Sequence, residues 1–430
     1  MAEIISKSND EVVIQVKIKL TGSMLEMENA IQSGVNEIGS LATKEALMKL
    51  DASGKAIKLG SIRLTSKGKV LKEYQTPYGA IDLERYVYQT SAGGSTYCPL
   101  DEKARIIISA TPKFAQMISS KYASLSAREL SDDLSQNHGR NVTRSCIQNI
   151  ADMVGSIAQA TEESWDYQIP EQEESVTNIS ISLDGTCVLM KNDGYREAMT
   201  GNISLYDLNG NRLHTIYIGA SPEYGKQIFI DRLQSEVNQI KLKYPNANYI
   251  GIADGASFNW GFLESNTSTH ILDFYHATEY LALASYSFAD IEKERRAWLN
   301  NACHRLKHDS GAAKQLLAEM EQQNKINSKK RKISKLVKEQ LTKAITYFTN
   351  QLARMNYAEY VAKGYPIGSG VTEAACKTLI KQRMCRSAMQ WKDQGARVVL
   401  ALRSLVQTTG RWMQFWNKID LCGISDLDVA

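Results

Sequence analysis

The chain has 430 residues, 43% hydrophobic and 23% charged, with seven prolines and no low-complexity tract. At about 100 to 200 residues per domain this is the composition of roughly two to four folded modules, and it excludes long disordered or collagen-like stretches. Lys and Arg number 51 against 47 Asp and Glu, a net charge of +4, so total charge selects no partner and its distribution must be read instead.

Cys98, Cys146, Cys187, Cys303, Cys376, Cys385 and Cys422 are odd in number and never spaced CxxC. That argues against a disulfide framework or a four-cysteine zinc site and for a reduced, cytoplasmic setting. The opening MAEIISKSND lacks the apolar core of a signal peptide, and no stretch approaches 18 apolar residues; no membrane partner is expected.

In chain order, residues 11–20 alternate like a strand, residues 23–50 have helical periodicity, and 61–97, rich in β-branched residues, Tyr and Gly, predict a small β-sheet. Together they make a module over 1–100. Helical segments are predicted at 101–122, 126–137 and 143–160, with His138, Gly139 and Arg140 at the last break. Residues 101–160 therefore read as a helix-turn-helix-like DNA-binding domain, with Arg140, Thr143, Arg144 and Gln148 as candidates for phosphate or base contact. A plain three-helix bundle is the alternative, because acidic and basic residues nearly balance there.

An acidic, Pro-containing linker, 161–176, leads to a new domain. Its elements are predicted as strand 177–184, strand 198–207, an Asn209-Gly210-Asn211 turn, strand 212–219, helix 225–243 and strand 248–253, the order β-β-β-α-β, with a further strand at 269–274. The first part of this α/β core spans 177–275. An almost wholly helical stretch, 276–362, follows as an insertion, and 363–430 completes the core with a helix over 371–387 and further C-terminal helices.

Two strands of this core end on an acid followed by Gly: ISISLDGT on Asp184 and YIGIADGA on Asp254. In PIGSGVTEAACK, Gly368 and Gly370 allow a tight entry and Ser369 or Thr372 can cap a helix that carries Glu373 in its first turn. Three converging carboxylates would bind Mg²⁺ or Mn²⁺; two such ions about 4 Å apart would activate an attacking hydroxyl and stabilise the leaving oxygen in phosphodiester transfer. Lys377 and Lys381 follow Glu373 at helical spacing and are candidates to track phosphates, with Arg383 and Arg386 extending the basic character. Trp391 is a candidate to stack on an unpaired base, with a core aromatic as the alternative. Eight basic residues between Lys325 and Lys343, among them Lys329, Lys330, Arg331 and Lys332, face the single acid Glu339; they suit a phosphate backbone or a solvated helix face.

SLDGT, IADGA with Trp260 six residues after its Asp, and PIGSGVTEAACKTLIKQRM with Trp391 resemble DDE transposases of bacterial insertion sequences, specifically the Kra group. The resemblance covers roughly 177–420. It implies an RNase H-like catalytic fold, Asp184, Asp254 and Glu373 as metal ligands, cleavage at terminal inverted repeats and strand transfer into target DNA, by a homodimer on paired ends. Asp273-Phe-Tyr-His276 is similar to the Asp/Cys-x-x-His signature of Mutator-like relatives, and in that setting His276 would position the scissile phosphate or support the metal site; a helix-capping role is the alternative. Insertions in related enzymes contact the DNA end, which makes Trp298 a stacking candidate. Zinc is not expected: Cys303, His304 and His308 lie in a basic helix without a clear fourth ligand, and the β-rich module, unlike that of some relatives, has only Cys98. The rival readings are an RNase H-like nuclease or resolvase that cuts without joining, and a non-catalytic DNA-binding protein.

Overall fold

The computed structural model describes residues 2–162, 165–223, 225–329 and 333–424. Within them the chain is mixed α/β, with several sheets and many helices. It forms two compact units: one runs to Gln168 and includes Gln394–Val406 and the residues from Gly410 on, the other comprises Ile169–Asp393 with Gln407–Thr409. Among the described residues no helix is long and apolar enough to cross a membrane.

In the first unit β1 (Ala2–Lys7) pairs antiparallel with β2 (Val12–Val16), so the strand expected over 11–20 is half of a hairpin. Helix α1 (Met24–Leu50) starts at a Ser23–Glu26 capping box, which satisfies donors that the first turn would otherwise leave open. Strands β3 (Ile57–Leu59), β4 (Ile62–Gln75), β5 (Ala80–Thr90) and β6 (Gly93–Tyr97) form the expected small sheet, which is antiparallel and in sequential order.

The helix expected over 101–122 is two helices, α2 (Pro99–Lys103) and α3 (Pro112–Tyr122). Pro112 can open a helix but not continue one, and Arg105 and Ile108 between them take φ of 53° and 61°. The chain there adds a short pairing to β4, with Gln75 N–H donating to the Ser109 carbonyl at 2.7 Å and Thr111 N–H to the Gln75 carbonyl at 2.9 Å. Helix α4 (Ala127–His138) stops on left-handed Gly139, and α5 (Arg144–Thr161) starts at Thr143, whose hydroxyl accepts the Cys146 N–H.

The stretch 363–430 is not one continuation of the core. The C-terminal helices Asp393–Gln407 and Arg411–Cys422 belong almost entirely to the first unit. A Cβ at Gly155 of α5 would lie 2.6 Å from Val398, so only glycine lets these two helices approach. Arg403, 3% exposed, donates to the Ala123 carbonyl. The supposed linker is pinned as well: Gln168 exchanges hydrogen bonds of 2.7 and 2.9 Å with the Gln414 amide.

The second unit is built on β7 (Asn178–Met190), β8 (Gly194–Tyr206), β9 (Arg212–Ala220), α6 (Gln227–Lys243), β10 (Asn248–Ala253), α7 (Ser257–Asn266) and β11 (Thr269–Leu272). Strand order is β11-β10-β7-β8-β9; β7, β8 and β9 are antiparallel neighbours, while β10 runs parallel to β7 and β11 parallel to β10. Period-two alternation in the sequence sorts the two faces. Ile179, Ile181 and Leu183 lie in register with Leu205, Ile203 and Gly201, and α6 covers this side, Phe229 and Leu233 sitting over Gly201. The opposite side of the same strands carries Ser180, Ser182 and Asp184 against Ser204, Asn202 and Thr200.

Helices α8 (Phe274–Ser285), α9 (Glu292–His308), α10 (Ala312–Lys329), α11 (Lys335–Gln351) and α12 (Tyr357–Ala362) make up the helical stretch expected over 276–362. It is not a separately cored domain: Leu281, Leu306, Leu316, Leu341, Phe348 and Tyr357 are buried in one apolar cluster with the sheet residues Ile250, Ile252 and Ile271.

Candidate active site at the sheet rim

Strand register puts the acids side by side. Ser182 pairs with Ile252 and Ala253 with Leu272 in parallel ladders, so continuing the register brings Asp184 beside Asp254 and Asp254 beside Asp273. Asp184 is not at a strand end, as its motif suggests, but inside the long β7–β8 ladder, opposite Thr200. It nonetheless lies at the rim, because β10 stops at Ala253 and leaves that side of β7 open. Gly185 is accordingly a strand residue, whereas Gly255 turns the chain with φ of 105°, which a side chain would strain.

Asp184 accepts the Gly185 N–H at 2.7 Å through Oδ1 and the Cys376 thiol at 3.3 Å through Oδ2. Burial raises its pKa above the ordinary carboxylate range; the Gly185 N–H and Cys376 oppose this, and the neighbouring Asp254 charge adds to it. Asp254 Oδ1 accepts the Ala256 N–H at 3.1 Å and the Asn259 amide at 3.3 Å. Its backbone carbonyl accepts the Tyr347 hydroxyl at 2.6 Å, and Gln351 donates to the Gly255 carbonyl at 3.3 Å. The insertion, through α11, therefore holds the Asp254 turn. Tyr347 is itself stacked on Tyr280, centroids 3.7 Å apart. Tyr347→Phe should lower stability by about 1 kcal/mol and loosen that turn; paired thermal melts and cutting assays would show both effects.

Helix α13 (Gly370–Ala375) carries Glu373 in its first turn, as expected. The capping differs from expectation. Ser369 makes no side-chain cap, and the Thr372 hydroxyl accepts instead from the Asn202 amide at 2.7 Å. The entry is held by Asp273, fully buried, whose Oδ2 accepts the Ser369 N–H at 2.5 Å while Oδ1 caps α8 at His276 N–H, 3.0 Å. Nor is 371–387 one α-helix: α13 passes into a π-helical segment, Cys376–Lys381, then a last α-turn, Gln382–Met384. Such wide turns recur at functional sites.

Glu373 is exposed, and among the described residues no three His, Cys, Asp or Glu converge as a cation site. What converges is the Asp184–Asp254 pair, with Glu373 one helical turn from Cys376, which touches Asp184. None of the three carboxylates is in an ion pair with Lys or Arg among the described residues. Acceptor-only oxygens lacking a cationic partner are a donor set that fits a hard divalent ion. His276 Nδ1 lies 3.3 Å from Glu279, and its backbone N–H is the donor that the Asp273 side chain caps at the start of α8.

The other candidates divide. Arg144 and Gln148 are exposed at the start of α5, and Lys377, Lys381 and Arg386 are exposed past Glu373. Arg140 is a correction: it is 6% exposed, its guanidinium donating to the Thr76 carbonyl at 3.2 Å and the Gln75 side chain at 2.7 Å over the Phe114 ring, so it secures the module instead of facing solvent. Arg383, 2% exposed, is likewise removed from the surface, its guanidinium 5.0 Å from the Trp391 ring. Trp391 is partly buried; its Nε1–H donates to the Met384 carbonyl, and its backbone pairs with Leu189 and Lys191 of the β7 edge. Trp298 stacks on Phe288 at 4.1 Å against the apolar cluster, which occupies one ring face. Thr143 is exposed but commits its hydroxyl to the α5 cap. Lys330, Arg331 and Lys332 lie outside the described residues, and Lys329 ends α10.

No family model and no curated protein matches the chain. Among solved structures it is similar to the crystal structure of the prototype foamy virus protease-reverse transcriptase CSH mutant, 13% identical over 60% of this chain, with a TM-score of 0.17. The match spans 34% of that chain, and at that score it carries no argument. The functional reading rests on the residues themselves.

Cys376, Asn202 and Tyr347 are the site residues that sequence reasoning missed, and Asp273, named there only within the Asp273–His276 motif, emerges as the residue that holds the entry to α13. One signal pointed to part of this: serine alternating with isoleucine in ISISLD means a polar sheet face, and a polar face inside a large unit needs polar partners.

Proposed function

We propose that the chain is a DNA transposase of the DDE type, with an RNase H-like core, that binds terminal inverted repeats, cuts at them and joins the ends to target DNA. The observation that carries this reading is the strand register that sets Asp184 beside Asp254 at the rim, with the Glu373 helix docked on the same face. Asp184, Asp254 and Glu373 would hold two Mg²⁺ or Mn²⁺ ions, which when bound supply activation of the attacking hydroxyl and charge stabilisation at the leaving oxygen. The chain's own residues do the rest. Exposed Lys377, Lys381 and Arg386 hold the phosphates of the strand being cut, His276 orients the scissile phosphate, and the Arg144 and Gln148 end of α5 reads the DNA end. A homodimer would pair two ends, in a cytoplasmic setting.

A donor plasmid bearing candidate ends, incubated with the protein and Mg²⁺, should give excised and joined products, and chelation with EDTA should abolish both. Cleavage with no joined product on paired ends would move the reading to a nuclease. The two arginines of the helix-turn-helix are expected to separate: Arg144→Ala should weaken end binding about tenfold with no change in melting temperature. Arg140→Ala should lower stability by about 2 to 4 kcal/mol, because it orphans the buried Thr76 carbonyl, the part-buried Gln75 side chain and a ring face. Gel-shift titrations alongside thermal melts decide between them.

A further inference from the structure

The rim acids account for one end of the polar sheet face, yet the row continues inward and is buried. Ser180 and Ser182 are 3% exposed, Asn202 1%, and Ser204 and Thr200 not at all. Part of this row grips α13. Asn202 donates to Thr372 at 2.7 Å; Thr200 Oγ1 lies 3.1 Å from Cys376 Sγ, and Cys376 in turn reaches Asp184 Oδ2 at 3.3 Å. The spacings match. Thr372 and Cys376 are four residues apart on a helix, about 6 Å of rise, and Asn202 and Thr200 are two apart on a strand, about 6.7 Å. Two helix side chains on one face therefore meet two strand side chains on one face, and the helix can dock in a single register. Glu373 lies between the two contacts.

We propose that Cys376 is a positioning residue for the carboxylate site: its thiol, 4% exposed, donates to Asp184 and packs on the Thr200 hydroxyl, and so fixes both the Asp184 rotamer and the distance from Asp184 to Glu373. This rests on the reading of Asp184, Asp254 and Glu373 as ligands of a divalent ion. The chemistry suits a thiol. Asp184 Oδ2 needs a neutral donor, since a cationic one would compete with the ion, and a hydroxyl on the same stem keeps that donor at a shorter reach. Partners of this kind, which orient a ligand without touching the ion, typically account for about 10- to 100-fold in affinity or activity.

The test compares Cys376→Ala with Cys376→Ser in the full chain, using Mn²⁺ titration calorimetry, thermal melts without metal, and cutting of end DNA. Cys376→Ala should bind Mn²⁺ about 10- to 100-fold more weakly and cut correspondingly slower, with a metal-free melting temperature lower by only about 2 to 4 °C; Cys376→Ser should recover binding to within about threefold. Thr200→Val, which removes the hydroxyl behind the thiol, should give a smaller loss in the same direction. Wild-type Mn²⁺ affinity in Cys376→Ala overturns the proposal while leaving the carboxylate site standing, and so does a Cys376→Ser variant as weak as the alanine. A wild-type chain that neither binds Mn²⁺ nor cuts DNA overturns both.

Discussion

Asp184→Asn, Asp254→Asn and Glu373→Gln are each expected to reduce DNA cutting by about 10³-fold or more, roughly 4 kcal/mol of lost transition-state stabilisation. End binding measured by gel shift should change little, because the exposed bases on α5 and past Glu373 are untouched. Stability should move the other way. Asp184 is a partly buried acid beside Asp254, its ionised form disfavoured by burial and then by that neighbour, and neither has a cationic side-chain partner among the described residues. Neutralising Asp184 removes a like-charge contact, and a gain of about 1 kcal/mol would raise the melting temperature by about 2 to 4 °C. A variant that loses activity while gaining stability is the signature of a site kept for function. Full cutting activity in any of the three would remove that residue from the site, and a fall in melting temperature of Asp184→Asn would show that its carboxylate serves the fold instead.

Asp273→Ala should behave in the opposite way, losing stability first. Both carboxylate oxygens of this buried residue accept backbone N–H groups, His276 at the start of α8 and Ser369 at the entry to α13. Loss of a helix cap costs about 0.5 to 2 kcal/mol, and an orphaned buried N–H about 1 to 3 kcal/mol. The sum, about 3 kcal/mol, corresponds to a melting temperature lower by about 6 to 12 °C for a unit of this size. Cutting should fall as well, since the loop that delivers Glu373 is no longer tied to the strand that ends beside Asp254. Asp273→Asn keeps one acceptor and should recover roughly half of the stability. If Asp273→Ala melts like wild type, the strap between β11 and α13 is not what holds the catalytic helix.

The two variants differ because the three neighbouring rim acids have different surroundings. Each accepts two hydrogen bonds, but Asp184 and Asp254 are only partly buried and keep acceptor capacity at the rim, whereas both oxygens of Asp273 are engaged by backbone N–H groups and the residue is sealed from solvent. In the sequence all three are an acid after an apolar run, and a following Gly marks only Asp184 and Asp254. Local pattern does not show that Asp273 is sealed, because that depends on which loop returns to cover which strand end, and that loop begins at Gly364, nearly a hundred residues after Asp273.

Much of the chain was legible from its own order of residues. Alternation found all five strands β7 to β11 but ended β7 at Asp184, six residues short of Met190; the Asn-Gly turn joined β8 to β9, and the acid-Gly pairs singled out Asp184 and Asp254, because period and turn chemistry are local properties that survive without tertiary context. Composition likewise marked 276–362 as helical. Tertiary structure decided the rest. It showed that Asp184 is a mid-strand residue exposed only by the shortness of β10, and that the insertion shares the sheet's core. It also turned Arg140 and Arg383 inward, since whether an arginine meets phosphate or a buried carbonyl depends on which element lies over it. Above all, the polar row Ser180, Ser182, Asn202 and Thr200 was visible as alternation but not as a docking surface: the partner that satisfies it, α13 with Thr372 and Cys376, is brought there from far along the chain, and only folding makes that contact.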